Sequence, residues 1–348
     1  MFCTRRQVMI SCKSTLCKVG SSEVSQRTEV CRICHSSNIT RFRHLNANYA
    51  RCHECGSYTK ILTEEEYRDL NPTYDPGALS EERRVEVLRR ILRVDECKAF
   101  LRPIVSKLRS QSGIRALDIG CGQGANLLAA RELGCEVVGV EPSRAHSRTA
   151  RELFGLAVED GYFSADRFWP RQFDLIILSH VIEHILDPRA FIVDILKVLA
   201  PGGMLVIVTP SAGSSTLWFV GRHWTMFKPI DHVSMLTEKA FRKMDLPPNV
   251  TLEFSQTEHS WQPVVELLQS MRDALRGLLK SEDEVVAFNA QKPASHALSR
   301  FDRWRRILWV FSLLSLPLHL FNKAAATQAC LVVRMKKASE RDLTGEPA

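Results

Sequence analysis

The sequence predicts an α/β protein with a doubly wound, mostly parallel sheet that carries helices on both faces. Between residues 115 and 209, short apolar runs alternate with amphipathic segments. Strands are expected at residues 115–119, 136–140, 174–178 and 204–209, and helices at residues 125–133, 143–153 and 188–199. Near-continuous apolar strands are typical of a parallel sheet that is buried on both faces. Ligands of such sheets bind beyond the carboxyl ends of the strands.

A glycine-rich turn follows the first of these strands. Residues 116–124 read ALDIGCGQG, which places Gly120, Gly122 and Gly124 between a strand and a helix. Glycine allows positive φ and lets a ligand approach the backbone, and the helix start offers free N–H groups. Asp118 precedes the turn, and Glu141 ends the next strand. The pattern therefore predicts a ligand site between two carboxylates.

Two ligands fit the glycine pattern taken alone. It matches the dinucleotide fingerprint, in which Glu141 would contact a ribose. Asp118 favours a different ligand, because a carboxylate beside a dianionic pyrophosphate costs energy. S-adenosylmethionine carries a sulfonium, an ammonium and no phosphate. In this D-x-G-x-G-x-G form, the sequence resembles the first motif of the class I S-adenosylmethionine-dependent methyltransferases.

The resemblance continues over residues 113–236. Residues 173–184 (FDLIILSHVIEH) look like the fourth strand of that family and the loop after it, and residues 201–210 (PGGMLVIVTP) resemble its PGG turn and fifth strand. The resemblance implies a Rossmann-like fold and assigns roles to individual residues. The glycines would line the methionine and ribose of the cofactor, Asp118 would order the loop or receive the ammonium, and Glu141 would bind the ribose hydroxyls. The remaining cofactor contacts implied by the resemblance are Asp160, Gly161 and Ser179.

Three histidines are candidates for the acceptor side of the site. His180 follows the fourth strand, and His184 belongs to an Glu-His pair that recurs in the family. His232 lies in a segment that resembles a pocket-facing stretch after the fifth strand, and Asp231 before it can raise its basicity. Any one of them could act as general base, which methyl transfer needs only if the acceptor must lose a proton. A purely structural role is the alternative for each.

Four cysteines near the amino terminus have the spacing of a metal site. Cys31, Cys34, Cys52 and Cys55 form two C-x2-C pairs, which predict one structural Zn²⁺; the alternative is four free thiols. The segment resembles the zinc ribbon that precedes the methyltransferase domain in many bacterial enzymes of a poorly characterised group. A closed shell of four thiolates leaves no open position, so a structural or substrate-positioning role is expected. His35 and His53 are then spectators.

The organisation of the 348 residues follows from these motifs. We expect a helix from residue 80 to Phe100 or Leu101, with Pro103 either kinking it or starting another helix that ends near Ser110. Late strands are expected at residues 251–259 and 329–335, with helices at 263–279 and 301–321. The predicted division is a tail (1–28), a zinc ribbon (29–60), a helical linker or lid (61–110), the cofactor-binding core (111–240), helices and strands that complete the sheet (241–340), and a second tail (341–348).

Composition limits the compartment and the partners. The net charge is +8, from 47 Lys and Arg against 39 Asp and Glu. This basic excess has two explanations: the charges lie on solvated faces of helices, or they attract an anionic substrate, a membrane surface or RNA. Eleven cysteines without a disulfide framework and no signal-peptide core in residues 1–25 predict a reducing, cytoplasmic location. The apolar run 307–318 is shorter than the roughly 20 residues of a membrane span. A buried or partner-facing helix is expected there, and peripheral membrane contact through residues 303–321 is the alternative.

The sequence thus predicts an S-adenosylmethionine-dependent methyltransferase that acts on a small-molecule or saccharide acceptor. RNA or protein methylation is the less favoured alternative, since residues 179–184 lack the N/D-P-P-Y/F form common among nitrogen methylators. A non-catalytic cofactor-binding module is a third hypothesis. The acceptor atom is left open.

Overall fold

A computed structural model of the chain describes residues 29–44, 47–68, 93–108, 113–221, 224–227, 231–257 and 330–339. The described strands are β1 (Ile39–His44), β2 (Ala47–Cys52), β3 (Tyr58–Lys60), β4 (Arg115–Ile119), β5 (Glu136–Glu141), β6 (Val158–Asp160), β7 (Phe173–Ser179), β8 (Leu199–Pro210), β9 (Ser234–Met235), β10 (Val250–Thr257) and β11 (Cys330–Lys337). The helices are α1 (Glu64–Arg68), α2 (Val94–Leu108), α3 (Ala125–Glu132), α4 (Arg144–Phe154), α5 (Ala165–Phe168), α6 (Pro188–Val198), α7 (Ser215–Val220) and α8 (Glu238–Lys243), with 3-10 turns at Ile182–His184 and Thr225–Phe227.

The larger sheet confirms the predicted fold class. In the described part of the chain its order is β10-β11-β8-β7-β4-β5-β6. The strands from β8 to β6 pair in parallel, whereas β11 is antiparallel to both of its neighbours. Alternate residues of the central strands enter two different apolar clusters, with Leu117 in one and Ala116 in the other. The sheet is therefore buried on both faces, as a parallel sheet requires.

The strand order places a crevice at the carboxyl ends of β4 and β7. From β4 the chain proceeds outward to β5 and β6, and from β7 it proceeds outward in the opposite direction to β8. Neighbouring strands whose connections leave in opposite directions form a topological switch point, where ligands of open α/β sheets bind. The glycine turn follows β4, and His180 follows β7.

The helices of the core begin and end at residues suited to these positions. The Ser143 side chain accepts a hydrogen bond from the backbone N–H of His146 at the start of α4, which ends at Gly155 in the left-handed conformation. Asp187 caps α6 in the same way and is followed by Pro188 in the first turn.

Helix α2 differs from its prediction. Arg93, inside the helix expected from residue 80 to Phe100, has a left-handed φ of 56°, and α2 begins directly after it at Val94. It then continues through Pro103 to Leu108 without starting a new helix. The buried face of α2 packs in the same apolar cluster as α3, and this tertiary contact outweighs the hydrogen bond that proline removes. Residues 80–92 and the helices expected at 263–279 and 301–321 lie outside the described residues.

A smaller sheet joins the cysteine-containing segment to the core. Its order is β1-β2-β3-β9, and β9 belongs to the stretch after β8. Tyr58 pairs with Met235, and Thr59 pairs with Ser234. Three of the cysteines, Cys31, Cys52 and Cys55, belong to a buried apolar cluster. The same cluster contains Leu236, which follows β9, and Ala240 and Phe241 of α8. The segment is thus connected to the core by both backbone pairing and apolar packing.

Within the described residues, none of the helices has the length and apolar character needed to cross a membrane. The apolar run 307–318 lies outside that part of the chain.

Candidate active site

The glycine turn after β4 combines a close contact with an open surface. All three glycines have positive φ, with values of 69° at Gly120, 54° at Gly122 and 90° at Gly124. A Cβ on Gly120 would lie 2.5 Å from Cγ2 of Val181, in the loop after β7. A Cβ on Gly122 would have no described atom within 4 Å. The turn therefore contacts the loop after β7 and leaves space above its middle glycine.

Asp118 is a buried carboxylate that has no cationic partner among the described residues. Its exposed fraction is 1%, and neither carboxylate oxygen has a hydrogen-bond partner among the described residues. Burial raises the pKa of Asp118 well above its usual value, the charge of Glu141 raises it further, and the Asn126 side chain opposes the rise only in part. A buried charge without compensation is costly, so this position favours a cationic ligand that supplies the missing partner.

Glu141 connects the end of β5 to the glycine turn. Its Oε2 accepts a hydrogen bond from the backbone N–H of Gly122 at 2.8 Å, and its Oε1 accepts one from Ser143 at 2.8 Å. Each carboxylate oxygen retains a further lone pair. The carboxylate thus holds the turn in shape and can still accept hydrogen bonds, as the predicted contact with ribose hydroxyls requires.

Asp160 at the end of β6 is engaged by α4. Arg151 donates a hydrogen bond to its carboxylate at 2.8 Å, and Ser147 donates another. These two bonds, that of Arg151 first, hold the pKa of Asp160 below its usual value. Gly161 donates its backbone N–H to the carbonyl oxygen of Glu141 at 2.9 Å. The cofactor contact that the resemblance implies for this pair remains a prediction.

A histidine–glutamate pair follows β7. His180 comes directly after Ser179, has a φ of 55° and donates its backbone N–H to Val208 at 2.8 Å. Its Nδ1 lies 3.2 Å from Oε1 of Glu183, whose side chain is 1% exposed. Thr209 donates its hydroxyl to the other carboxylate oxygen at 3.0 Å. A polar network thus lies under the crevice.

His180 and Glu183 each favour the charged form of the other. Burial alone would lower the pKa of His180, but the hydrogen bond and charge of Glu183 raise it above its usual value. Burial alone would raise the pKa of Glu183, but His180, and to a lesser extent His184, lower it. Because the ionised carboxylate can only accept, Nδ1 of His180 donates to it, and in the neutral form of the imidazole Nε2 keeps its lone pair.

His184 and His232 complete the cluster. Nδ1 of His184 lies 3.0 Å from the carbonyl oxygen of Asp231, and Nδ1 of His232 lies 3.0 Å from that of Met226. Their ring centroids are 5.0 Å apart. Burial lowers the pKa of His232. The structure therefore brings all three predicted histidines to one place, and the contact of Val181 with Gly120 makes that place adjacent to the glycine turn.

The site lies within a region that matches a known family. Residues 89–244 match the family model described as a methyltransferase domain. Ubiquinone biosynthesis O-methyltransferases are among the relatives. The enzyme of that name from Bradyrhizobium sp. is 34% identical over 164 residues, an alignment that covers 44% of this chain and 59% of the relative. That of Rhodopseudomonas palustris strain BisB18 is 32% identical over 161 residues, or 44% of this chain and 63% of the relative.

The chain spans about three fifths of the length of these relatives. Solved structures with a related fold include an S-adenosylmethionine-dependent methyltransferase from Archaeoglobus fulgidus, with 17% identity, a TM-score of 0.41, and coverage of 70% of this chain and 94% of that one. Another is the plantazolicin methyltransferase BamL, with 15% identity, a TM-score of 0.41, and coverage of 74% and 87%.

The four cysteines before the matched region converge on one point. Sγ of Cys31 lies 3.6 Å from that of Cys55, and Sγ of Cys34 lies 3.6 Å from that of Cys52. All four sulfur atoms lie within 4.8 Å of one another. Four thiolates at about 2.3 Å from a tetrahedral Zn²⁺ would be separated by about 3.8 Å, so the four residues fit the ion. His53 instead contacts Thr40 at 2.7 Å and, like His35, is not among these ligands.

Several polar groups of this site were given no role of their own from the sequence, including Glu183, which was noted only as the neighbour of His184 in a recurrent pair. Nε2 of Gln123, in the glycine turn, is buried without a described partner. Glu183 joins His180 to Thr209, and Tyr67 of α1 donates its hydroxyl to the carbonyl oxygen of His184 at 2.9 Å. Glu183 could have been given a role as a charged residue inside an apolar stretch, whereas the contact of Tyr67 spans 117 residues of sequence and has no local signal.

Proposed function

We propose that this protein is an S-adenosylmethionine-dependent methyltransferase that acts on a hydroxyl group of a small-molecule or saccharide acceptor. The observation that supports it best is Asp118, a buried carboxylate without a described partner, at the switch point of a methyltransferase domain. A cation completes this position, whereas a pyrophosphate would add negative charge to it.

The residues of the turn fit the cofactor. Gly122 leaves open space, Asp118 would receive the ammonium of the methionine part, and the free lone pairs of Glu141 would accept from the ribose hydroxyls. S-adenosylmethionine, when bound, supplies a methyl group activated by the sulfonium. The protein's own contribution is to align the two reactants and exclude water.

The histidine cluster lies on the acceptor side. When the acceptor oxygen takes the methyl group, its O–H bond breaks, and a base next to it promotes the reaction by accepting that proton. Nε2 of His180 has a lone pair available, because Nδ1 is held by Glu183. The imidazole is half exposed (53%), so an acceptor can reach it from the crevice.

The acceptor class is inferred from the relatives and from this polarity. The curated relatives are named as O-methyltransferases of ubiquinone biosynthesis, which is a reaction on a small molecule. The imidazoles and carboxylates at the end of β7 and before β9 are suited to bind hydroxyl groups. The cysteine cluster would hold a structural Zn²⁺ beside this site.

Binding and turnover together test the proposal. We expect S-adenosylhomocysteine to bind the full-length protein in calorimetry with micromolar affinity, and NADH not to bind. Incubation of a cell extract with the protein and isotopically labelled S-adenosylmethionine should then label a hydroxyl-bearing metabolite, detectable by mass spectrometry. Tight binding of NADH without binding of S-adenosylhomocysteine would contradict the proposal. Labelled RNA or protein in place of a metabolite would favour the alternative acceptors.

A further inference from the structure

We propose that Glu183, His184 and His232 bind a divalent metal ion and that this ion takes oxygen atoms of the acceptor. The three side chains each offer one ligand atom, and these atoms lie within 4.8 Å of one another. The site is separate from the four cysteines and has different ligands. Metal binding does not depend on the proposed methyl transfer; the assignment of the open positions to the acceptor does.

The hydrogen bonds of the two imidazoles determine which nitrogen of each ring is available as a ligand. A carbonyl oxygen can only accept, so Nδ1 of His184 must carry a proton to bond to the backbone of Asp231 at 3.0 Å. The same holds for Nδ1 of His232 and the backbone of Met226 at 3.0 Å. Both neutral imidazoles therefore keep a lone pair on Nε2.

This arrangement has the form that metal-binding histidines take. A ligating imidazole usually donates its other N–H to a carbonyl or carboxylate, which orients the ring and makes it a better ligand. His184 has both kinds of partner, because Oδ2 of Asp231 also lies 3.3 Å from its Nδ1. The two rings are close, with centroids 5.0 Å apart, so two lone pairs and a carboxylate share one small space.

Glu183 is suited to be the third ligand. Its side chain is buried at 1% exposure on the 3-10 turn Ile182–His184, adjacent in sequence to His184. Thr209 and His180 each hold one of its oxygens at 3.0 and 3.2 Å, which fixes the carboxylate in place. A carboxylate oxygen has two lone pairs, so these contacts leave one on each oxygen for an ion.

The ligand set indicates the class of ion and the open positions. Two imidazoles and one carboxylate suit first-row divalent ions, and such a set leaves positions open on one side. His184 and His232 are only partly buried, so those positions are accessible. Hydroxyl or phenolate oxygen atoms of an acceptor are the groups that would fill them.

Mn²⁺ is the probe, because a hard ion avoids the thiolates of the cysteine cluster. We expect electron paramagnetic resonance titration of the zinc-loaded, full-length protein to show one bound Mn²⁺. His184→Gln and His232→Gln should each weaken that binding at least tenfold, whereas His146→Gln, a histidine of α4 outside the group, should not. Absence of Mn²⁺ binding at millimolar concentration, or equal binding by the wild type and both variants, would overturn the proposal.

A second measurement needs no variant, so it decides the matter if a variant does not fold. Electron spin echo modulation of the wild-type Mn²⁺ complex should show ¹⁴N coupling from imidazole. A bound ion without imidazole nitrogen contradicts the assignment. Neither measurement involves S-adenosylmethionine, so failure of the metal site and failure of the proposed methyl transfer are distinguishable.

Discussion

The hydroxyl of Thr237 donates a hydrogen bond to the carbonyl oxygen of Cys55, across 182 residues of sequence. The same hydroxyl accepts from the backbone N–H of Ala240 at 3.0 Å and so caps α8. One residue of the segment after β9 therefore contacts the cysteine cluster directly. Nearby, Lys60 donates its backbone N–H to Val233, which donates its own to Glu183, both at 2.8 Å. The cysteine cluster and the acceptor side of the site are thus joined through β3 and β9.

This connection predicts what removal of one cysteine ligand does. Cys52→Ser should lose the single equivalent of zinc, because three thiolates hold the ion less tightly, and it should loosen β3. Affinity for S-adenosylhomocysteine should change little, since the glycine turn lies on the other side of the site, whereas turnover should fall. Metal analysis, calorimetry and a transfer assay on the same preparation measure the three effects. Cys97→Ser is the matched control and should keep its zinc. A metal-free wild type that folds well would contradict the zinc assignment.

Replacing Asp118 should change stability and ligand binding in opposite directions. At a pH above the raised pKa of Asp118, Asp118→Asn removes a buried charge that has no cationic partner, so the ligand-free protein should gain about 1–3 kcal/mol there. The same change removes the group proposed to receive the ammonium, so affinity for S-adenosylhomocysteine should fall at least tenfold. Denaturant unfolding and calorimetry measure the two effects. A residue with a structural role alone would lose stability and leave affinity unchanged.

The raised pKa of Asp118 also predicts a pH dependence. In the ligand-free protein, Asp118 holds its proton more tightly in the folded state than in the unfolded state. The free energy of unfolding therefore decreases as the pH rises towards the raised pKa of Asp118. An ammonium ligand favours the ionised carboxylate, so binding below that pKa releases a proton. Affinity should therefore rise with pH, about tenfold per unit, and level off above the pKa of Asp118. Calorimetry in buffers of different ionisation enthalpy counts the proton, and Asp118→Asn should release none at this position.

The proposed role of His180 can be separated from binding. His180→Asn should lower kcat by about 100- to 10,000-fold, which is the usual contribution of a positioned base. The affinity for S-adenosylhomocysteine should not change, because the cofactor residues lie after β4 and β5 instead. His53→Gln, which alters a histidine that contacts Thr40 outside the site, is the control and should retain its turnover. Equal loss in both variants would point to a general defect of folding.

The parts of the site that the sequence predicted are those with a local pattern. Gly120 and Gly122 lie in a turn whose shape requires positive φ, and the four cysteines lie in two short repeats. Strand ends could be predicted because the apolar runs stop at Ile119, before the glycine turn, and at Leu178, before Ser179. The buried network of Glu183 had no such pattern, since Thr209 comes from β8 and becomes its neighbour only in the folded sheet, although His180 lies three residues away in sequence.

The contact between the cysteine segment and the core was also not predictable. Strand β9 has only two residues, Ser234–Met235, too few to show the alternation that identifies a strand. Helix α2 shows the converse effect: Pro103 is a local signal for a break, but packing of the buried face against α3 keeps the helix continuous. Local signals failed where long-range packing determined the outcome.

The contact between Gly120 and Val181 should be measurable by a double-mutant cycle. Gly120→Ala adds a Cβ that would lie 2.5 Å from Val181, and it also forces alanine to a φ of 69°. The left-handed backbone costs about 1–2 kcal/mol, and the steric overlap should add about 1–3 kcal/mol because a β-branched side chain cannot easily turn away. Val181→Ala in the same protein removes the overlap but not the backbone cost.

The cycle therefore has a defined sign and a control. The double variant should be more stable than the sum of the single changes predicts, by at least about 1 kcal/mol in urea unfolding. Gly122→Ala has a similar φ of 54° and no described atom within 4 Å of the added Cβ, so it should show the backbone cost and no coupling to Val181. Its added methyl instead occupies the space proposed for the cofactor, so affinity for S-adenosylhomocysteine should fall. If the changes in free energy of unfolding of Gly120→Ala and Val181→Ala simply add, the glycine turn and the loop after β7 move independently.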